Sequence, residues 1–225
     1  MRAILRVLAV LAFCAPAWAG GLAALSNTEV TGGLKEALTQ GASRAVELLG
    51  RKDGFLANPK VRIPLPGVLQ QAEPLLRMSG MGGELDQLVT TMNRAAEAAV
   101  PEAKTLLLAA VRQMSVADAG NIVSGGDDSV TRYFREKTEA ELFQRFLPVV
   151  RESTDKLALA GQYNRLAGKA AGAGLIKGED AQVEQYVTRR ALDGLYQMIA
   201  EEERAIRKDP LGAAGSLAKK VFGAL

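Results

Sequence analysis

Histidine is absent from this 225-residue chain, and cysteine and tryptophan occur once each, as Cys14 and Trp18. The missing imidazole excludes Ser-His-Asp and Cys-His catalysis and every histidine-ligated metal site. Cys14 and Trp18 both fall in a stretch that reads as a secretory signal. Residues 1–19, MRAILRVLAVLAFCAPAWA, place Arg2 and Arg6 at a positive end and an apolar run from Ile4 to Ala15 after it. Ala17-Trp18-Ala19 closes the stretch as an A-x-A cleavage pattern. Cleavage after Ala19 is expected, giving a mature chain that starts at Gly20. The apolar run is too short to span a bilayer, which takes ~20 apolar residues. Leu11-Ala12-Phe13-Cys14 offers a rival reading as a lipobox, which bulky Phe13 and the better site downstream disfavour. The expected location is the periplasm.

Loss of that segment sharpens the exclusions. A mature chain without cysteine has no disulfide, no thiol nucleophile and no thiolate metal site. Tight zinc, copper or iron binding is therefore not expected, and no cofactor is implied. What remains is chemistry by carboxylates, lysine, tyrosine, hydroxyls and oxygen-ligated cations. The whole chain carries 28 Lys+Arg and 25 Asp+Glu. Without Arg2 and Arg6 the balance is 26 against 25, a formal charge of +1. Nucleic-acid binding needs a concentrated basic face, and a near-neutral chain gives no argument for one. With no disulfides, stability has to come from a buried apolar core.

The residues present read as helices. Ser26-Asn27-Thr28-Glu29 fits a capping box, followed by Val30, Leu34, Leu38, Ala42, Ala45 and Leu49 at helical spacing up to Gly50. Gly41, beside that stripe, suggests close packing of a neighbouring helix. Asp53-Gly54 marks a turn. In Asn58 to Pro66, NPKVRIPLP, Val61, Ile63 and Leu65 alternate with Lys60, Arg62 and Pro64, the pattern of an extended segment with one face on the core. Its prolines exclude a central strand, which leaves a short hairpin or an extended strap. Val68, Leu69, Ala72, Leu75 and Leu76 form the next stripe, broken at Gly80-Met81-Gly82-Gly83. Leu85, Leu88, Val89, Met92, Ala95, Ala96 and Ala99 form another, and Pro101 fits the first turn of its successor. Ser115 to Asp118 caps a short helix ending near Val123.

Ser124-Gly125-Gly126-Asp127-Asp128 reads as a helix stop and a helix start: a left-handed glycine cap, then an aspartate N-cap ahead of Val130, Tyr133 and Phe134. The rival reading of Asp127 and Asp128 is an oxygen-ligated cation site, although the EF-hand pattern is missing. Thr138-Glu139-Ala140-Glu141 reads as a further capping box, and Pro148 should kink or end the helix that follows. Gly168 to Gly174 is rich in small residues and has no phosphate-loop pattern. Gly178-Glu179-Asp180 begins a last long helix whose apolar residues, Val183 to Ile199, cover much of its circumference, as in a helix buried between others. Pro210 ends it. A tail from Gly212 to Leu225 reads as a docking helix first and a membrane-surface helix second. No repeat or second composition regime appears. Residues 20–225 are expected to form a single all-α domain, a multi-helix bundle with one short extended or hairpin insertion around residues 55–66.

Several strings together resemble a bacterial family known as domain of unknown function 4197. They are Gly33 to Leu38, Asn58 to Pro66, Asn93-Arg94-Ala95-Ala96-Glu97, Ser124 to Asp128, Tyr186-Val187, Ala191 to Leu195 and Ile206-Arg207 with Pro210. The resemblance covers nearly all of the mature chain. It implies an exported bacterial protein and brings no reaction and no catalytic residue.

Polar candidates beside the apolar stripes are Lys35 and Glu36 on the first helix, Asn93, Arg94 and Glu97 on a middle one, and Arg189, Arg190 and Asp193 on the last, where Arg189 and Asp193 are spaced to pair. One reading is ion pairs that tie helices together. The sharper one is a cleft in which Arg62, Arg94 or Arg190 receives an anionic ligand. On function, the leading expectation is a non-enzymatic envelope protein that binds another envelope protein or a small anionic ligand. The alternatives are a carboxylate-based hydrolase drawing on Glu36, Glu97, Asp127, Asp128 or Asp193, and a membrane-surface protein that uses the tail.

Overall fold

The capping box at Ser26 forms: Ser26 Oγ accepts the Glu29 N–H at 3.2 Å, and Glu29 Oε2 accepts the Ser26 N–H at 3.0 Å. From it grows α1 (Asn27–Gly50), whose buried face carries Leu34, Leu38, Ala42, Ala45 and Leu49. Gly41 is on that face too, against Glu202 and Ile206. The computed structural model describes residues 26–172, 181–209, 219 and 221. After α1 comes an irregular strap through Pro66, then α2 (Gly67–Leu76), a single π-turn (Arg77–Met81) and α3 (Gly82–Ala99). A short 3-10 turn (Val100–Glu102) holds Pro101 and leads into α4 (Ala103–Gln113). Then follow α5 (Val116–Val123), α6 (Ser129–Thr154), α7 (Ala158–Gly172) and α8 (Val183–Lys208). The fold is all-α, as the periodicities predict, with no strand among the described residues.

α6 and α8 form the centre and run antiparallel. Val130 near the start of α6 meets Glu203 late in α8, Thr138 meets Tyr196, and Phe143 meets Arg189. α3 packs across both, α1 lies against α4, α5 and α8, and α7 reaches α3 and α8. The interior is one apolar cluster that includes Phe55, Leu85, Leu88, Phe134, Phe146 and Leu195. Each fully buried side chain of that size stabilises by about 1.5–3 kcal/mol. α8 buries Val187, Leu192, Leu195, Tyr196 and Ile199 around most of its circumference, which fits a helix enclosed by neighbours.

Some local expectations fail. Thr138 does not begin a helix. It lies inside α6, and its hydroxyl donates to the Phe134 carbonyl one turn back. Of the two outcomes expected at Pro148, a kink or an end, the end does not occur: α6 continues to Thr154. Gly82 and Gly83 are helical, and the break falls at Gly80, the glycine with a positive φ of 84°. Gly168 and its small neighbours up to Gly172 belong to α7. Leu75, placed in a core stripe by its spacing, is exposed. The signal segment, residues 173–180 and most of the tail lie outside the described residues. Of the tail, Lys219 and Val221 are described as helical, and Val221 is buried.

Candidate functional site

The strap is a heavily anchored irregular segment. Two turns at its start are closed by the Gly54 N–H to Arg51 and the Asn58 N–H to Phe55 carbonyl bonds. Beyond them Val61, Ile63 and Leu65 point inward and Arg62 and Pro64 outward. An extended backbone with no neighbouring strand leaves its amides in need of partners. The buried Asn93 of α3 provides them. Its Oδ1 accepts the Ile63 N–H at 2.8 Å, and its Nδ2 donates to the Ile63 carbonyl at 2.9 Å. One amide side chain thus replaces a strand partner, so the segment is a strap and not a hairpin. One turn on, the buried Glu97 Oε1 accepts the N–H groups of Phe55 and Leu56 at 3.0 and 3.1 Å. Its other oxygen takes Arg94 Nη1 at 2.6 Å, and Arg94 Nη2 reaches Asp53 at 2.8 Å. Glu97, then Asp53, raise the Arg94 pKa above its ordinary value. Gly194 completes the anchorage: a Cβ there would sit 2.7 Å from the Phe55 ring, so the strap's aromatic needs a bare helix surface on α8. Tyr186 Oη donates to the Pro64 carbonyl at 3.2 Å.

A second cluster joins α8 to the start of α6. Glu203, buried, accepts the Val130 and Thr131 N–H groups at 3.1 and 3.2 Å and lies 3.3 Å from each of the Ser129 and Thr131 hydroxyls. Arg207 pairs with it at 3.0 Å and also donates to the Ile122 carbonyl. A carboxylate at a helix N-terminus satisfies free N–H groups and complements the dipole. Here the carboxylate comes from another helix. Asp128 occupies the N-cap position of α6, yet its side chain makes no capping bond and pairs with Arg132 at 3.3 Å. The aspartate cap expected at Asp127 or Asp128 is therefore replaced by Glu203. Neither Gly125 nor Gly126 is left-handed. Gly125 is required by crowding instead, since a Cβ would lie 2.6 Å from Ser129 Cβ and 2.7 Å from the Asn121 carbonyl.

On the outer side of α6 and α8, Arg135 lies 4.6 Å from the Tyr196 ring centroid and joins Glu139 at 2.7 Å to Asp193 at 3.3 Å. Arg190 stacks 5.3 Å over the Tyr186 ring and reaches Asp193 at 4.0 Å. Tyr196 is buried with its hydroxyl on Thr138, and burial pushes its pKa up to about 12. A groove of about 360 Å³ runs beside this layer, walled by Phe143, Arg189, Glu139 and Asp193. Lys35 lies elsewhere, donating to the Arg112 carbonyl at the end of α4. Glu36 is a half-buried neighbour on α1, and Arg62 is exposed on the strap. The candidates therefore do not gather in one cleft. Asn93, Arg94 and Glu97 stand together under the strap, Asp193 and Arg190 on the α6–α8 flank, Asp127 and Asp128 at the α5–α6 corner, and Lys35 at the end of α4. No group of three acidic side chains suited to a metal occurs among the described residues, and no described helix is long and apolar enough to cross a membrane.

Sequence reasoning overlooked Glu203 as an anchor, although Leu192, Leu195, Tyr196 and Ile199 lead straight to it in helical register. It also overlooked the end of α2. Arg77, on the π-turn, pairs with Glu73 at 2.9 Å and with Asp86 of α3 at 2.6 Å, bracing the corner. Arg77 holds the Asp86 carboxyl below its ordinary range. Beyond the brace, Leu75 is 68% exposed and Met78 86% exposed.

With fold and anchors in place, the chain belongs to the family described as protein of unknown function DUF4197, whose model matches residues 24–223. No curated protein and no solved structure matches it.

Proposed function

We propose that this protein is a non-enzymatic binding protein of the bacterial envelope, exported through a cleavable signal peptide and acting in the periplasm. The observation that carries the reading is the placement of its charges. Acid–base catalysis by carboxylates needs two of them in one cleft, with environments that drive their pKa values apart. Here Glu97 and Glu203 hold backbone N–H groups, and Asp193 and Glu139, the pair that lines the α6–α8 groove, are both held by one cation, Arg135. These carboxylates serve the scaffold.

The contact surface this reading assigns is the tip where α2 runs into the π-turn, with exposed Leu75 at the end of the helix and exposed Met78 three residues on in the turn. Large apolar side chains left in water mark interaction sites when they lie together. Beside the tip one arginine, Arg77, faces two carboxylates, Glu73 and Asp86, so an anionic bilayer gains no electrostatic attraction from them. The occupant favoured is another envelope protein.

A photo-crosslinking residue at position 78 in living bacteria tests this, with position 136 on α6 as control. The expected result is one adduct of defined mass at 78 and none at 136. The identified protein should bind the purified chain, and Leu75→Ser should abolish that binding. Turnover of an ester, amide, phosphate or glycoside that Asp193→Asn removes without loss of stability would overturn the reading. The export step has its own check. Intact mass should show a chain starting at Gly20, and a lipidated Cys14 terminus would contradict it.

A further inference from the structure

The five methionines among the described residues sit in unequal surroundings. Met92 is 0% exposed, Met114 4% and Met198 8%, whereas Met78 is 86% exposed at the tip of α2. Met81, three residues on, is half-buried and packs against the core. On the expected cleavage, the mature chain holds no cysteine, so thioethers are its only sulfur. We propose that Met78 is a selective oxidation site, at which a peroxide-class oxidant converts the thioether to the sulfoxide and turns the tip from apolar to polar while the fold stays intact.

The step balances with hydrogen peroxide as oxidant. A sulfur lone pair attacks one peroxide oxygen, the S–O bond forms and the O–O bond breaks. The departing hydroxide takes the remaining proton and leaves as water. Sulfur is oxidised by two electrons and the peroxide is reduced by two.

Selectivity follows from access, since an oxidant reaches a buried thioether only after the surrounding structure opens. Survival of the fold follows from the same number. A sulfoxide oxygen is a strong acceptor that is costly to bury without a donor, and at Met78 water supplies the donor. The bonds that shape the corner bypass this side chain: Arg77 links Glu73 and Asp86, and Ser79 Oγ donates to the Leu75 carbonyl. At Met92 the same oxygen would enter a closed core. The effect on partner binding rests on the reading of the tip as a contact surface. The modification itself does not.

The test treats purified exported protein with limiting hydrogen peroxide and maps sulfoxides by peptide mass against time. Met78 should oxidise first, at least about tenfold faster than Met92, Met114 or Met198, and ahead of Met81. The singly oxidised protein should keep the unfolding midpoint of the reduced form, methionine sulfoxide reductase should restore it, and Met78→Leu should remove the fast phase. Equal rates at Met78 and Met92, or loss of cooperative unfolding on the first oxidation, would overturn the proposal. A crosslinker at position 75 separates the two claims. Its adduct should disappear on oxidation. Absence of that adduct before oxidation would sink the tip as a contact surface and leave the modification standing, and its persistence after selective oxidation would overturn the effect on binding.

Discussion

The strap from Arg51 to Pro66 and the arm from Gly67 to Met81 are consecutive in the chain and opposite in construction. The strap has no regular secondary structure, yet its inward residues are buried and side chains of other elements satisfy its amides. The arm is helical and closes its own hydrogen bonds, yet it exposes Leu75 and Met78 and rests on an exposed brace. Regular structure and firm attachment are therefore separate properties. A helix satisfies its backbone alone and still depends on packing for stability. An irregular segment has to borrow partners, and borrowing from buried Asn93 and Glu97 fixes it to the core.

Removing the strap's anchors should have the largest effects. Glu97→Ala leaves two N–H groups and Arg94 without their shared carboxylate, and should cost ~3–5 kcal/mol in denaturant unfolding. Glu97→Gln keeps an acceptor oxygen and should cost less, ~1–3 kcal/mol. Asn93→Ala should follow at ~1–3 kcal/mol, and Asn93→Asp should not rescue it, because a carboxylate cannot donate to the Ile63 carbonyl. If any of these proves neutral, the strap is no better held than the arm.

The arm should respond to pH instead. Asp86 has a depressed pKa in the fold, so its contribution is present above the unfolded value near 4 and is lost as pH falls through the folded value. Amides of residues 77–81 should exchange faster at pH 3 than their intrinsic chemistry predicts, and Asp86→Asn should remove that acid dependence. Paired Leu75→Ser and Met78→Ser substitutions should change stability by no more than about 0.5 kcal/mol, since nothing packs away with them. Asp128→Ala belongs with these small effects, because Glu203 provides the cap that Asp128 does not.

The same contrast explains what could be read from the sequence. Helices with a clean apolar face, such as Leu34 to Leu49 and Leu85 to Ala99, were legible because their spacing reports burial directly. So was the alternation of Val61, Ile63 and Leu65, and the capping box at Ser26 and the helix cap at Ser115, whose partners lie within three residues. Bonds between distant elements were not. Asp128 fits the N-cap pattern as well as any residue, but whether a helix end meets its own aspartate or a glutamate from another helix is a tertiary fact. Periodicity likewise placed Leu75 in a stripe without showing that the stripe's far end leaves the core. Among the candidate residues, Asn93, Arg94 and Glu97 were rightly grouped, and what they hold, the strap's backbone, was not evident from spacing.

Hydrogen exchange at neutral pH measures the central contrast directly. Three strap amides report on anchorage: Phe55 and Leu56 on Glu97, and Ile63 on Asn93. The account predicts that all three exchange only with global unfolding, with the same apparent free energy as core amides of α6 and α8, while arm amides from Gln70 to Met81 exchange through local opening at markedly lower free energy. Strap amides that exchange as readily as those of the arm would contradict it.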